Sequence, residues 1–226
     1  MNLLLIGSAV LEEIEDLLFL HQKTFLLTNK KYKILIQPFG IGKLNSMFSL
    51  ISLLNQEGRF FYEDIEVLFL GSCGSYERHY PEFVVANQFV NLDYAILHKK
   101  AKFFSEVSGL IQTKRGEVAK EIILLYPLFE EALINTTDSV TLTEVPLDRF
   151  WKFLPQSHAS IYENLEAYGL AKVCFEQAIP FTSFLAVTNY VHEGGSRQWA
   201  LNYQNMSKKL NDFIKKFFIK ILETPL

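Results

Sequence analysis

Apolar and polar positions follow one another along the chain in two rhythms. Short runs rich in branched and aromatic residues predict strands over Leu3–Ile6, Lys33–Gln37, Ile65–Leu70, Phe83–Phe89, a segment near Ser139–Thr143, and Thr182–Thr188. Longer stretches with apolar residues three and four apart predict helices over Val10–Leu20, Leu44–Gln56, Glu117–Leu133, Tyr162–Gln177 and Met206–Leu222. Strands alternating with helices are the pattern of an α/β fold, in which helices pack on the faces of a sheet. Several of the strand runs, Val67–Leu70 and Phe184–Val187 among them, have no polar residue, as expected of central strands buried on both faces. The last helix carries Leu210, Phe213, Ile214, Phe217, Ile221 and Leu222 on one stripe, with Lys208, Lys209, Lys215, Lys216 and Lys220 mostly outside it. That reads as a docking helix with a solvated face rather than a membrane-surface helix.

Composition narrows the partners. A chain of 226 residues, 49% hydrophobic, can bury one sizeable core. No internal repeat, low-complexity tract or Pro/Gly/Ser linker divides it, so one domain over residues 1–226 is expected. A net charge of -3, from 25 acidic and 22 basic side chains, gives no field to gather nucleic acid or anionic lipid, and a small molecule is the expected partner. Cys73 and Cys174 alone make neither a disulfide framework nor a metal site, which suits a reducing, cytoplasmic setting. The opening MNLLLIGSAVLEE lacks a basic segment and is not read as a signal peptide, and no run approaches the roughly 18 to 20 apolar residues of a membrane span. His79, His98 and His158 are scattered without a second ligand at metal spacing, so no metal or cofactor is expected.

Candidate chemistry lies where strands end, the usual place for a site in an α/β sheet. After Leu3–Ile6 come Gly7 and Ser8, then Glu12 and Glu13 on the opening turn of the predicted helix, where acids also suit the helix dipole. Phe39-Gly40-Ile41-Gly42-Lys43 closes a second strand, a pattern that turns often show. Gly71-Ser72-Cys73-Gly74-Ser75 closes a third, bringing backbone N–H groups and the Ser72 hydroxyl to a ligand, and Thr188-Asn189 closes a fourth. Glu166 sits alone among apolar and small residues in Asn164–Ala171, and a buried carboxylate there would need donors such as sugar hydroxyls.

Taken in order and spacing, GIGKLNS (Gly40–Ser46), GSCGS (Gly71–Ser75), NLEAYGLAKVC (Asn164–Cys174) and IPFTSFLAVTN (Ile179–Asn189) resemble the nucleoside phosphorylase and nucleosidase superfamily. The tail Thr188-Asn189-Tyr190-Val191 with Gly195-Ser196-Arg197-Gln198-Trp199 looks most like the futalosine hydrolases of the alternative menaquinone pathway, and Thr137–Thr143 is similar to a stretch of that family. Leu165 stands where methionine is usual, Tyr168-Gly169 replace small alanines, and His192-Glu193 intrude before Gly194-Gly195. The resemblance implies a three-layer α/β/α sandwich around a mixed, partly barrel-like sheet. It also implies a homo-oligomer, since nucleosidases of this kind are typically dimers.

By the same resemblance, Glu166 would hold the ribose 2′- and 3′-hydroxyls and Glu12, five residues after Gly7, would deprotonate the attacking water. Asn189 would bond the purine N7 and the group at C6. Ser72, Cys73, Gly74, Thr143, Asn164, Leu165 and Thr188 would line the nucleoside, and Trp199, in the matched tail, is a candidate for shaping the pocket. Asparagine cannot titrate, but its amide can donate to O6 while its carbonyl accepts from a protonated N7, which suits a 6-oxopurine such as hypoxanthine. Phosphorolysis needs a seat for phosphate. Phe69 stands where the hexameric phosphorylases carry an arginine, Gly7–Leu20 has none, and Lys43 is the nearest cation, so hydrolysis is expected. The expected activity is release of hypoxanthine from futalosine. The alternatives are a methylthioadenosine/adenosylhomocysteine nucleosidase, which Asn189 argues against, a purine nucleoside phosphorylase, and a noncatalytic nucleoside-binding protein, which intact Glu12 and Glu166 argue against.

Overall fold

The computed structural model describes residues 1–58, 62–105, 109–154 and 160–223; His158 lies outside them. Strand β1 (Asn2–Ser8) explains the uninterrupted apolar runs. It is buried along its whole length, with β3 (Lys30–Pro38) and β4 (Ile65–Ser75) parallel to it on either side. Because successive strand residues point to opposite faces, Leu3 and Leu5 enter one core with Leu50 and Leu53 of α1 (Lys43–Leu53). That core also holds Ala167 and Leu170 of α5 (Ala167–Glu176). Leu4 and Ile6 enter a second core with Val118 and Ile122 of α3 (Glu117–Leu125) and with Leu210, Ile214 and Phe217 of α6 (Gly195–Glu223). Each such Leu or Ile contributes about 1.5 to 3 kcal/mol relative to an exposed position. Both faces of the strand are therefore apolar.

The sheet has nine strands and is mixed. Its order runs β2 (Thr24–Leu27), β3, β1, β4, β8 (Ser160–Asn164), β7 (Glu130–Thr136), β5 (Phe83–Val90), β6 (Ile111–Gln112). β9 (Phe181–Tyr190) pairs in parallel with β4 and antiparallel with β5, which closes β4, β8, β7, β5 and β9 into a ring. β1, β4 and β9 run the same way, so Ser8, Ser75 and Tyr190 end at one rim. The α/β class expected from the alternating pattern is observed. Two short helices, α2 (Tyr94–Leu97) and α4 (Asp148–Trp151), flank a third apolar cluster around Tyr76 and Phe150. No helix among the described residues is long and apolar enough to cross a membrane.

Several elements depart from the sequence pattern. The predicted helix Glu117–Leu133 stops at Leu125, and β7 begins at Glu130; Pro127 lies between, with no N–H to continue the helix. The predicted helix Tyr162–Gln177 begins as β8 and turns helical only at Ala167. Val10–Leu20 forms two 3-10 segments, Leu11–Glu13 and Glu15–Leu20, instead of one α-helix. Ser139–Thr143 is irregular, the final helix starts at Gly195, ahead of Met206, and β4 continues through the GSCGS run to Ser75. At the opposite end of β4, Glu66 accepts the N–H groups of Val118 (3.1 Å) and Ala119 (2.9 Å) and so closes the start of α3. Burial pushes its carboxyl up to about 7, and only glycine fits beside it, since a Cβ on Gly116 would lie 2.0 Å from Glu66 Cδ.

Candidate active site

At the shared rim lies a cavity of about 610 Å³. The 3-10 turn after β1 supplies one of its buried acids. A 3-10 helix turns about 120° per residue, so Glu12 and Glu13 diverge: Glu12 is exposed at the wall, while Glu13 is only 6% exposed. Glu13 Oε1 accepts from Ser72 Oγ at 3.2 Å, and Ser72 Oγ accepts from the indole Nε1–H of Trp199 at 3.0 Å. Glu13 Oε2 is buried with no hydrogen-bond partner among the described residues. The turn is anchored from α6, where Asn211 Nδ2 donates to the Glu13 carbonyl at 2.9 Å. Burial pushes the Glu13 carboxyl up to about 7; the charge of Glu166 adds to this, and the Ser72 hydroxyl opposes it.

Glu166 stands at the start of α5, where Oε1 accepts the N–H of Gly42 at 2.8 Å. The loop that delivers this amide needs its glycines, because Gly40 (φ 93°) and Gly42 (φ 81°) occupy left-handed conformations. Burial raises the Glu166 carboxyl as well. Asn164 braces both walls: Oδ1 accepts the amides of Glu166 (2.9 Å) and Ala167 (2.8 Å), and Nδ2 donates to the Ser72 carbonyl at 3.1 Å. Glu163, next to it, is committed to the wall. Its carboxylate accepts from Tyr76 Oη (2.7 Å), from the Thr141 amide (3.0 Å) and from the Thr141 hydroxyl.

Asn189 ends β9 and faces the cavity. Its Oδ1 accepts from Thr188 Oγ1 at 2.9 Å, and its Nδ2 donates to the Tyr190 carbonyl at 3.1 Å. A primary amide has two N–H groups and two carbonyl lone pairs, so one donor and one acceptor remain. Gly74 and Gly195 make room for it, since a Cβ would lie 2.8 Å from Asn189 Nδ2 at Gly74 and 3.1 Å at Gly195.

The cavity thus gathers Glu12, Ser72, Cys73, Gly74, Asn164, Leu165, Glu166 and Asn189 from the residues singled out in the sequence. Thr188 is buried just behind Asn189 and touches the Cys73 carbonyl instead of the cavity. Thr143 requires correction: its segment is not a strand, Thr143 is exposed and off the cavity, and Val140 lines it from that stretch. Glu13 was seen beside Glu12 but given no role; Trp199, a candidate from the matched tail, does line the cavity, and Tyr203, one turn further along α6 and stacked on it at 4.5 Å, was not singled out. Arg197 is exposed and, like His192, outside the lining. Burial pushes the Cys73 thiol far up, so it stays neutral. The charged groups among the described lining residues are Glu12, Glu13, Glu163 and Glu166, with no Lys, Arg or His. Lys43 is held elsewhere, 2.8 Å from Asp138 and donating to Asn91 Oδ1 at 2.9 Å.

The fold is similar to that of solved nucleosidase structures. Among solved structures, a futalosine hydrolase mutant of Helicobacter pylori strain 26695 aligns with 97% of this chain and 100% of its own, with a TM-score of 0.73 and 20% identity. A mutant of the H. pylori 5′-methylthioadenosine/S-adenosylhomocysteine nucleosidase, with 5′-methylthioadenosine in its active site, aligns with 96% and 98%, TM-score 0.71 and 20% identity. A putative nucleosidase of the latter kind from Francisella philomiragia gives 98% and 100%, TM-score 0.74 and 17% identity. At these identities the likeness is one of fold. No protein-family model and no curated protein matches the sequence.

Proposed function

We propose that the chain is a purine nucleosidase that hydrolyses the N-glycosidic bond of a 6-oxopurine nucleoside. The leading substrate is futalosine, cleaved to hypoxanthine and dehypoxanthine futalosine for menaquinone synthesis. One observation carries the reading: a single cavity holds a buried carboxylate with an unpartnered oxygen, a second carboxylate, an amide with a free donor and acceptor, and no cation among its described lining. Cleavage of such a bond passes through an oxocarbenium-like sugar. Glu166 would accept from the ribose hydroxyls, and its charge would favour the positive ring as it develops. Glu13 takes the place that spacing gave to Glu12: its Oε2 is free to orient a water, and a carboxyl raised to about 7 is matched to accept that water's proton near neutral pH. Asn189 would donate its free N–H to O6 and accept from N7–H as the base departs, N7 taking its proton from solvent while the attacking water gives one to Glu13, so that neutral hypoxanthine leaves.

The charge of the cavity supports hydrolysis over phosphorolysis. A phosphate dianion would enter among carboxylates without a guanidinium or ammonium partner, at a cost of several kcal/mol. The likeness to the methylthioadenosine/adenosylhomocysteine nucleosidases supports a second reading, release of adenine from a 5′-thionucleoside; the untitratable Asn189 argues against it. The three-layer arrangement belongs to the same proposal and is supported by the two cores on opposite faces of β1, as do the single domain, the homo-oligomer and the cytoplasmic setting. Release of free hypoxanthine or adenine from futalosine, inosine, methylthioadenosine and adenosylhomocysteine, each with and without phosphate, tests the reading. Hypoxanthine from futalosine, unaffected by phosphate, is expected, and no base from any of the four would overturn it.

A further inference from the structure

Glu13 is joined to α6 by a hydrogen-bonded chain that the reaction as described does not use. Trp199 Nε1 lies 3.0 Å from Ser72 Oγ, which lies 3.2 Å from Glu13 Oε1. The direction of this chain follows from the chemistry of its first member. An indole N–H can only donate, whereas a serine hydroxyl has one proton and two lone pairs and turns to suit its partners. With the indole filling a lone-pair position, the Ser72 proton must be spent on another acceptor, and the Glu13 carboxylate is the one within reach. The indole is fixed in turn by its stack on Tyr203, with ring centroids 4.5 Å apart and planes 13° from parallel.

We propose that Trp199 is a positioning residue for Glu13: its donor-only indole fixes the Ser72 hydroxyl so that the hydroxyl proton is aimed at the Glu13 carboxylate. The inference rests on the reading of Glu13 as the base, but its direct signature is the ionisation of Glu13 and not turnover. A hydroxyl held in this way stabilises the carboxylate against its surroundings. Burial and the charge of Glu166 at the start of α5 oppose ionisation, while the backbone amides of Ala9 and Val10 favour it with Ser72; Glu12 from the same turn and Glu163 from β8 are the other acids of the lining, and Trp199 and Asn211 are neutral. Loss of the indole donor frees Ser72 to turn away, and Glu13 then holds its proton to higher pH.

The experiment follows the Glu13 carboxyl by NMR in protein carrying 13C-labelled glutamate, with E13Q identifying the resonance, alongside the pH dependence of kcat/KM. In Trp199→Phe the Glu13 midpoint should rise by about half a pH unit, and kcat/KM should fall about threefold more below the midpoint than at pH 9. Benzothienylalanine at position 199, which keeps the stack on Tyr203 and removes only the N–H, should do the same and guards against a folding defect in the phenylalanine variant. In a Ser72→Ala background, Trp199→Phe should add nothing. An unchanged Glu13 midpoint in both position-199 variants, or an equal rise in the Ser72→Ala background, would overturn the proposal. Full turnover by E13Q would instead remove the base reading, leaving the NMR midpoint to judge the hydrogen-bonded chain alone.

Discussion

Replacing Glu13 by glutamine should cost activity and return stability. The carboxyl is 6% exposed, beside the charge of Glu166, and raised from 4.5 to about 7. At about 1.4 kcal/mol for each pH unit, the folded protein pays about 3 kcal/mol to keep Glu13 ionised. The sign follows from the order of the two values. Below 4.5 the group is protonated folded and unfolded alike, and no penalty exists. Between 4.5 and about 7 the unfolded chain releases the proton first, so stability falls as pH rises, and above 7 the loss is complete. Glu13→Gln lacks this titration, so its stability relative to wild type should grow by about 3 kcal/mol between pH 4 and pH 8, measured by urea unfolding at each pH. Turnover should move the other way: removal of a general base costs about 100-fold or more, whereas Glu12→Gln, at an exposed position, should change kcat by less than about threefold. In the wild type, kcat/KM should fall as pH drops through about 7. A stability difference constant with pH would refute the burial argument. Full activity in Glu13→Gln with a large loss in Glu12→Gln would refute the choice of base.

Other predictions bear on the amide and on the scaffold. Asn189→Asp should lower the ratio of kcat/KM for futalosine over its 6-amino counterpart by about 5- to 150-fold, because a carboxylate repels O6 but accepts from an exocyclic amine; an unchanged ratio would show that Asn189 does not read the base. Gly74→Ala would place a Cβ 2.8 Å from Asn189 Nδ2 and 3.0 Å from Val191 Cγ2, so kcat/KM should fall about tenfold or more with the fold retained, checked by kinetics and circular dichroism. Glu66→Ala strips the acceptor from two buried amides at the start of α3 and should cost about 2 to 4 kcal/mol in urea unfolding, with kcat unchanged at a permissive temperature.

Much of the architecture was legible because burial writes itself into sequence. β1, β4 and β9 are covered on both faces and read as continuous apolar runs. β7 was hidden because Glu130-Glu131 followed by Ala132-Leu133-Ile134 prolongs the helical rhythm of α3; the signal that could have found it was Pro127. β8 was absorbed into the helix that follows because Tyr162 and Leu165 fit a helical stripe, although Asn164 stops the strand and holds the first amides of α5. The candidate site was legible as motifs, since glycines and polar tips stand out against apolar strands. Which of Glu12 and Glu13 is buried was not, because it depends on a 3-10 turn; the exposure of Leu11 and the burial of Ile14 show the register only once the turn is seen. Trp199 reaches Ser72 from 127 positions away, a contact that no local pattern encodes.

The central claim is that water, and not phosphate, takes the purine's place on the sugar. Futalosine incubated in H218O with an excess of inorganic phosphate should yield hypoxanthine and a sugar product carrying one 18O at the anomeric carbon, read by mass spectrometry. A sugar 1-phosphate in that mixture, its anomeric oxygen unlabelled because phosphate supplied it, would contradict it.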